Sequence, residues 1–342
     1  MMLNGNVCVC DSGTGRLQIF TKHGELLRVV EYLTENERKD SNGRAGFLFS
    51  RPTSVAASAE FLFVCHVFDL CSAENALVKI RISDWSIVER LMASHPSVNE
   101  QGWHLSAWDG APIPPEEEGD DTDIMFEEWW DQPIDAVCAG SRLYVADLGA
   151  NFGGGGTPGV HVIDTDTFDR VLSTFGDTNA QLGKPEAITH HDGLILVMDT
   201  CHGNYPCAQA VVVFTTNGDL LRTINVIDGP ETMNLYPTSV CGMDVARGRL
   251  MVGCCKHARE HASTRLEEMK VHVLSLEGDK LQTLDLFDHA PLLPDENGNT
   301  WSAPRVGKFP AGSISFLCAA ADRMYVGDHI THSLHILRFE DK

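Results

Sequence analysis

Apolar and polar residues alternate with a period of two along most of this chain, in short runs bounded by Gly, Pro, Asn, Asp and Ser. That period predicts half-buried β-strands rather than helices. The opening stretch VCVCDSGTGRLQIFTKHGELLRVV (7–30) shows the unit: a strand, a loop around Asp-Ser-Gly, a second strand, a tight His-Gly turn and a third strand.

The unit recurs. Pro-led segments begin at Pro52 (PTSVAAS), Pro133 (PIDAVCAG), Pro185 (PEAITHHDG), Pro237 (PTSVCGMDVARG) and Pro310 (PAGSISFLCAAAD). Each leads into an apolar strand (FLFVCH, RLYVAD, LILVMD, RLMVGC, RMYVGD) and then an alternating one (ALVKIRI, GVHVIDT, AVVVFTT, MKVHVLSL, SLHILRF). Most copies add a fourth strand, and three share a turn before it: HGELLR, NGDLLR and EGDKLQ, where Gly supplies the positive φ of a tight hairpin. Four-stranded units of this size cannot bury both faces alone and stack radially.

The expectation is therefore an all-β, six-bladed β-propeller of four-stranded antiparallel blades, a single domain over 1–342. Its blades lie near 5–32, 52–92, 133–176, 185–226, 237–287 and 310–339, with insertions at 93–132 and 288–309. Too few residues precede VCVCD for a first strand, and SLHILRF lacks a fourth. Both the first and last blades are thus expected to be incomplete, and one N-terminal segment of roughly 20 residues upstream would explain both gaps.

The first copy resembles an NHL repeat, with Val9, Asp11, Gly13, Arg16, Ile19, Phe20 and Gly24 in the consensus places. The resemblance is partial over 142–176, 194–226 and 323–339 and weak over 61–92 and 249–286. It implies a propeller and names no reaction.

Composition narrows the partners. With 26 basic against 48 acidic residues, the net charge of −22 repels nucleic acid and anionic membranes, so neither nucleic-acid binding nor membrane insertion is expected. No apolar run is long enough for a transmembrane helix, and the start lacks signal-peptide character. Eleven cysteines, an odd number, and no N-x-S/T acceptor point to a reducing, cytoplasmic setting.

Second-to-third-strand connections and blade-to-blade connections are the long ones, and in a propeller both open on one face. Binding residues concentrate on such loops. The largest insertion carries PIPPEEEGDDTDIMFEEWWDQP (112–133). It reads either as a solvated loop or as an acidic-hydrophobic docking segment for a basic protein, with Glu116, Glu117, Glu118, Asp120, Asp121, Asp123, Phe126, Trp129 and Trp130 as contact residues.

Three other features carry candidate chemistry. Asp11, His66, Asp147, Asp199, Cys254 and Asp328 end the second strands. Carboxylates at the channel mouth would suit Ca²⁺, as in lactonase-type propellers, or each Asp closes its own loop through backbone N–H groups. The loops CHVFDLC (65–71), CHGNYPC (201–207) and CCKHAREH (254–261) leave packed thiols, hairpin disulfides and zinc open, with Cys254, Cys255, His257 and His261 as the best local set. GANFGGGGTPG (149–159) lacks the following helix of a phosphate loop, and His190 and His191 read as core or turn residues. No catalytic residue is assigned.

The function expected is a non-catalytic protein-interaction scaffold that needs no cofactor. The rival is a metal-dependent propeller hydrolase or lyase, lactonase-like or amidating-lyase-like, using Ca²⁺ or Zn²⁺ at Asp11, Asp147, Asp199, Asp328, Cys254, His257 and His261.

Overall fold

A computed structural model describes residues 2–3, 5–11, 15–30, 52–66, 76–92, 132–149, 157–177, 181–202, 208–226, 239–260, 263–285, 314–320, 323–328 and 333–338. The alternating runs form strands throughout them. The first sheet is β1 (Met2–Leu3), β2 (Asn6–Asp11), β3 (Arg16–Phe20) and β4 (Leu26–Val30); the second is β5 (Pro52–Ala57), β6 (Phe61–His66), β7 (Ala76–Arg81) and β8 (Ile87–Met92). The third is β9 (Pro133–Ala139), β10 (Arg142–Asp147), β11 (Gly159–Asp164) and β12 (Val171–Phe175); the fourth is β13 (Pro185–His191), β14 (Leu194–His202), β15 (Ala208–Thr215) and β16 (Leu220–Asn225). The fifth is β17 (Ser239–Ala246), β18 (Arg249–Glu260), β19 (Ser263–Ser275) and β20 (Lys280–Asp285), and the last is β21 (Ile314–Ala319), β22 (Arg323–Asp328) and β23 (Ser333–Arg338). Every sheet is an antiparallel meander, and the first strands pack side by side, β5 on β9, β9 on β13, β13 on β17 and β17 on β21. This is a β-propeller.

Two expectations need correction. The described residues form five four-stranded blades, not six, and β21–β23 is a three-stranded sheet. The first blade, expected to lack a strand, is among the five. Met2 pairs with Val7 and Leu3 with Asn6 across a turn in which Gly5 takes φ +81°. Two residues suffice for backbone pairing when a glycine reverses the chain this tightly. That strand spans only part of β2, whereas β17 pairs along most of its length with β18. Among the described residues no helix is long and apolar enough to cross a membrane.

Adjacent blades are joined by a repeated device. The turn between third and fourth strands offers a backbone carbonyl, and the preceding blade sends a donor to it. Lys79 Nζ donates to Asp166 O (2.9 Å), Tyr144 OH to Thr216 O (3.0 Å) and Arg222 Nη2 to Leu276 O (2.7 Å). The last sheet treats the first alike: Arg323 Nη1 (2.9 Å) and Tyr325 OH (3.3 Å) both donate to Lys22 O, closing the ring. Lys79 is 3% and Arg323 7% exposed, so each charge is carried into a dry interface and needs its acceptor.

The turns themselves fill the space between blades in two ways. Gly24, Gly218 and Gly278 take φ of +91°, +91° and +106°, and the missing side chain leaves room for the preceding blade. In the second and third blades the positive-φ residue is Trp85 (66°) or Phe168 (49°), and the aromatic does the filling. Phe168 is fully buried with its ring 5.4 Å from Phe63, and Arg28 lies 5.1 Å above the Trp85 ring.

Candidate functional site in the central channel

The first strands surround the axis, and two of them carry an acid among apolar neighbours, PIDAV in β9 and GMDVA in β17. Asp135 Oδ1 accepts from Ser54 Oγ of the second blade and from Ala136 N–H (2.9 Å), while Oδ2 accepts from Ile188 N–H of the fourth (2.8 Å). One carboxylate thus ties three consecutive first strands. Asp244 repeats the arrangement: Oδ1 accepts from Thr189 Oγ1 (2.8 Å) and Val245 N–H (2.8 Å), and Oδ2 from Ala319 N–H (2.8 Å). By register Asp135 faces Ala146, whereas Asp244 faces Met251, two residues further along the strand on the same face. Burial pushes the Asp135 carboxyl up to about 6 against the pull of its three donors.

Thiols line the same region. Burial raises Cys10 and Cys65 well above the usual thiol range, and the Asp135 carboxylate adds to the rise at both. Cys8 is pushed up to about 11 and Cys138 to about 12, both chiefly by burial. Cys318 is raised by burial and by Asp244. These sulfurs are protonated at neutral pH and are poor nucleophiles. Cys8, Cys10, Cys65, Cys138, Cys254, Cys255 and Cys318 are in no disulfide.

The residues at the ends of the second strands hold local contacts. Asp11 accepts from Arg16 Nε (3.0 Å) and Gln18 Nε2 (2.6 Å) on β3. Asp147 Oδ1 accepts from the N–H groups of Gln132 (2.8 Å) and Gly149 (2.9 Å), and Oδ2 faces His161 Nε2 at 3.1 Å. His161 Nδ1 in turn faces Thr174 Oγ1 at 2.8 Å, so a polar chain crosses three strands of the third blade. Both oxygens of Asp199 accept backbone N–H groups, from Gly183 (2.9 Å) and Lys184 (2.6 Å), in the segment entering its blade. Asp147 and Asp199 are almost completely buried, and these contacts close loops.

Asp328 ends β22 opposite Ser333. Cys254 lies inside β18, opposite Val240, is buried and is pushed up to about 12 by burial. His257 lies on β18 opposite Leu266, while His261, Cys71, Cys207 and most of the Gly-rich loop fall outside the described residues. Glu116, Glu117, Glu118, Asp120, Asp121, Asp123, Phe126, Trp129 and Trp130 also fall outside them. Among the described residues, no three His, Cys, Asp or Glu side chains come together as a metal-holding group. His190 accepts from Gly193 N–H (3.3 Å) within the first turn of its blade, and burial lowers its affinity for a proton.

Asp135 and Asp244 are absent from the periodic set of strand-end residues. Their signal was an acid within an apolar first strand.

No family model matches the chain, and no curated protein matches it. Among solved structures it is similar to the WD40 domain of Pan2 from Neurospora crassa, at 9% identity over 100% of this chain and 74% of that one, with a TM-score of 0.47. It is also similar to the WD40 β-propeller domain of Doa1 (12% identity, 99% and 90% covered, TM-score 0.43). A third is the virginiamycin B lyase from Staphylococcus aureus (10% identity, 99% and 79% covered, TM-score 0.47).

Proposed function

We propose that this chain is a non-catalytic protein-interaction scaffold, an NHL-like propeller that presents its long-loop face to a protein partner. The observation behind this reading is how the polar groups near the axis are used. Asp135 and Asp244 accept hydrogen bonds from neighbouring blades, Asp147 and Asp199 from entering loops, and the thiols are held protonated. Groups spent on joining strands build a rigid frame, which suits a surface that binds through its loops. The acidic-hydrophobic segment 112–133 is the docking element, and its carboxylates favour a basic partner.

Affinity capture with the intact chain and with a chain lacking 112–128 tests the reading. Loss of a basic partner from the shortened chain is expected, and unchanged partners refute the docking role. Elemental analysis with and without chelator separates the metal-dependent alternative, because stoichiometric Ca²⁺ or Zn²⁺ would overturn the non-catalytic reading.

A further inference from the structure

One polar chain in the third blade has the parts of an activated hydroxyl. β12 is the outer strand of that blade, and a β-bulge at Leu172 sets Thr174 opposite His161. Thr174 is exposed, whereas His161 and Asp147 behind it are only 5% and 1% exposed. Thr174 Oγ1 lies 2.8 Å from His161 Nδ1, and His161 Nε2 lies 3.1 Å from Asp147 Oδ2. A carboxylate accepts, which places the proton of a neutral His161 ring on Nε2 and turns the Nδ1 lone pair to the threonine hydroxyl. Both ends are held. Asp147 Oδ1 is fixed by the N–H groups of Gln132 and Gly149, and the Thr174 methyl group packs on Gly159, where a Cβ would stand 3.3 Å from it. A hydroxyl, a base within hydrogen-bond reach and a third group that orients the base together make a nucleophile.

The fifth blade holds the same pair without the acid. A bulge at Leu281 sets Thr283 opposite His272, whose Nδ1 lies 3.0 Å from Thr283 Oγ1. Asp147 stands two residues beyond Val145, the β10 partner of His161, and the residue two beyond Val252, the β18 partner of His272, is Cys254. Burial pushes that thiol up to about 12, so it stays neutral and cannot balance an imidazolium. Burial, and then Lys280 and Lys270, lower the affinity of His272 for a proton. The bulge recurs in β16 at Leu221, but there Val212 takes the place of the histidine opposite Thr223.

We propose that Thr174 is a modification site whose hydroxyl takes an acyl group from an activated ester or thioester, with His161 as general base and Asp147 orienting the ring. His161 Nδ1 removes the hydroxyl proton as Oγ1 bonds to the acyl carbon. The bond from that carbon to the leaving oxygen or sulfur then breaks, and the proton passes from His161 to the leaving group. The products are a threonine ester and an alcohol or thiol, with no further reactant. An acyl donor fits better than a phosphoryl donor, because Asp147 and Asp177, which also borders Gly159, repel a polyanion. Acylation of one residue alters the scaffold without turnover. It makes no use of segment 112–133, so either proposal can fail alone.

The test treats the intact chain with p-nitrophenyl acetate and locates the acetylated threonines by peptide mass mapping. Thr174 is expected to react about tenfold or more faster than Thr283 in the same folded sample, and the difference is expected to vanish in urea. His161→Gln should bring Thr174 down to the rate of Thr283 while amide exchange in β11 and β12 stays as in the wild type. Glutamine fits that place, since Gln18 holds the equivalent one in the first blade, 2.6 Å from Asp11. No ester on Thr174, or a rate no higher than that of Thr283, overturns the proposal without recourse to any variant. A preference that persists in urea, or full reactivity of Thr174 in His161→Gln, overturns it as well.

Discussion

Asp135 titrates high for a carboxylate with three donors because desolvation outweighs them. Its folded value of about 6 lies above the ordinary 3.8, so between those pH values the folded chain keeps a proton that the unfolded chain has released. Stability contributed by this group is full below the unfolded value and is lost as pH rises through about 6. Asp135→Asn cannot ionise and removes that loss. It also turns an amide N–H₂ or its oxygen towards donors, a cost that does not vary with pH. Urea denaturation at pH 4.5, 5.5 and 7 is expected to show the variant gaining on the wild type with rising pH, by about 2 kcal/mol in all. A difference independent of pH would contradict the assignment. The sequence showed the strand-end set Asp11, Asp147 and Asp199 because one position recurs in successive copies. It concealed Asp135 and Asp244, which occur in two blades at different registers and whose donors come from strands distant in sequence.

The strand elements were legible because alternation and turn glycines are local properties, and three of the Pro-led first strands begin at the residue where β5, β9 and β13 begin. The bulges were not, since an extra residue appears only when two strands are paired. This separates two apolar residues that look alike in LLRTIN. Leu221 is 48% exposed, whereas Ile224 is 3% exposed and fills the space beneath Gly278. Ile224→Ala is expected to cost about 2–4 kcal/mol by leaving a cavity between blades, and Leu221→Ser about 0.5 kcal/mol or less, both measured by denaturant unfolding. The turn above obeys the same geometry. Gly218→Ala would place a methyl 2.8 Å from Phe175 while forcing an L-residue to φ +91°. We expect a loss of about 1–3 kcal/mol. In a Phe175→Ala background the Gly218→Ala change should cost less by the steric part only, because the backbone strain remains. Full recovery would show that φ imposes no cost here.

Around the ring each interface holds an apolar cluster, but the interfaces are unequal. Four of the turn carbonyls are reached from Lys79, Tyr144, Arg222 and the Arg323–Tyr325 pair, and only the last joins segments from opposite ends of the described chain. Contacts within a blade and between sequential blades join residues closer in sequence than the seam does, which must close the full circle. Among the described residues the seam cluster also has fewer fully buried members than the one between the fourth and fifth blades, where Leu196, Val211, Val213, Leu250 and Val252 are all at 0% exposure. The ring should therefore open first at the seam. Arg323→Ala removes a buried donor and leaves Lys22 O to the longer Tyr325 bond, a loss of about 1–3 kcal/mol. Because the remaining interfaces do not depend on that bond, the loss should be local. Native-state amide exchange is expected to speed up in β3 and β22 and to stay unchanged in β14 and β15. Equal acceleration in all four strands would mean that the propeller opens as one cooperative unit and that the seam is no weaker than any other interface.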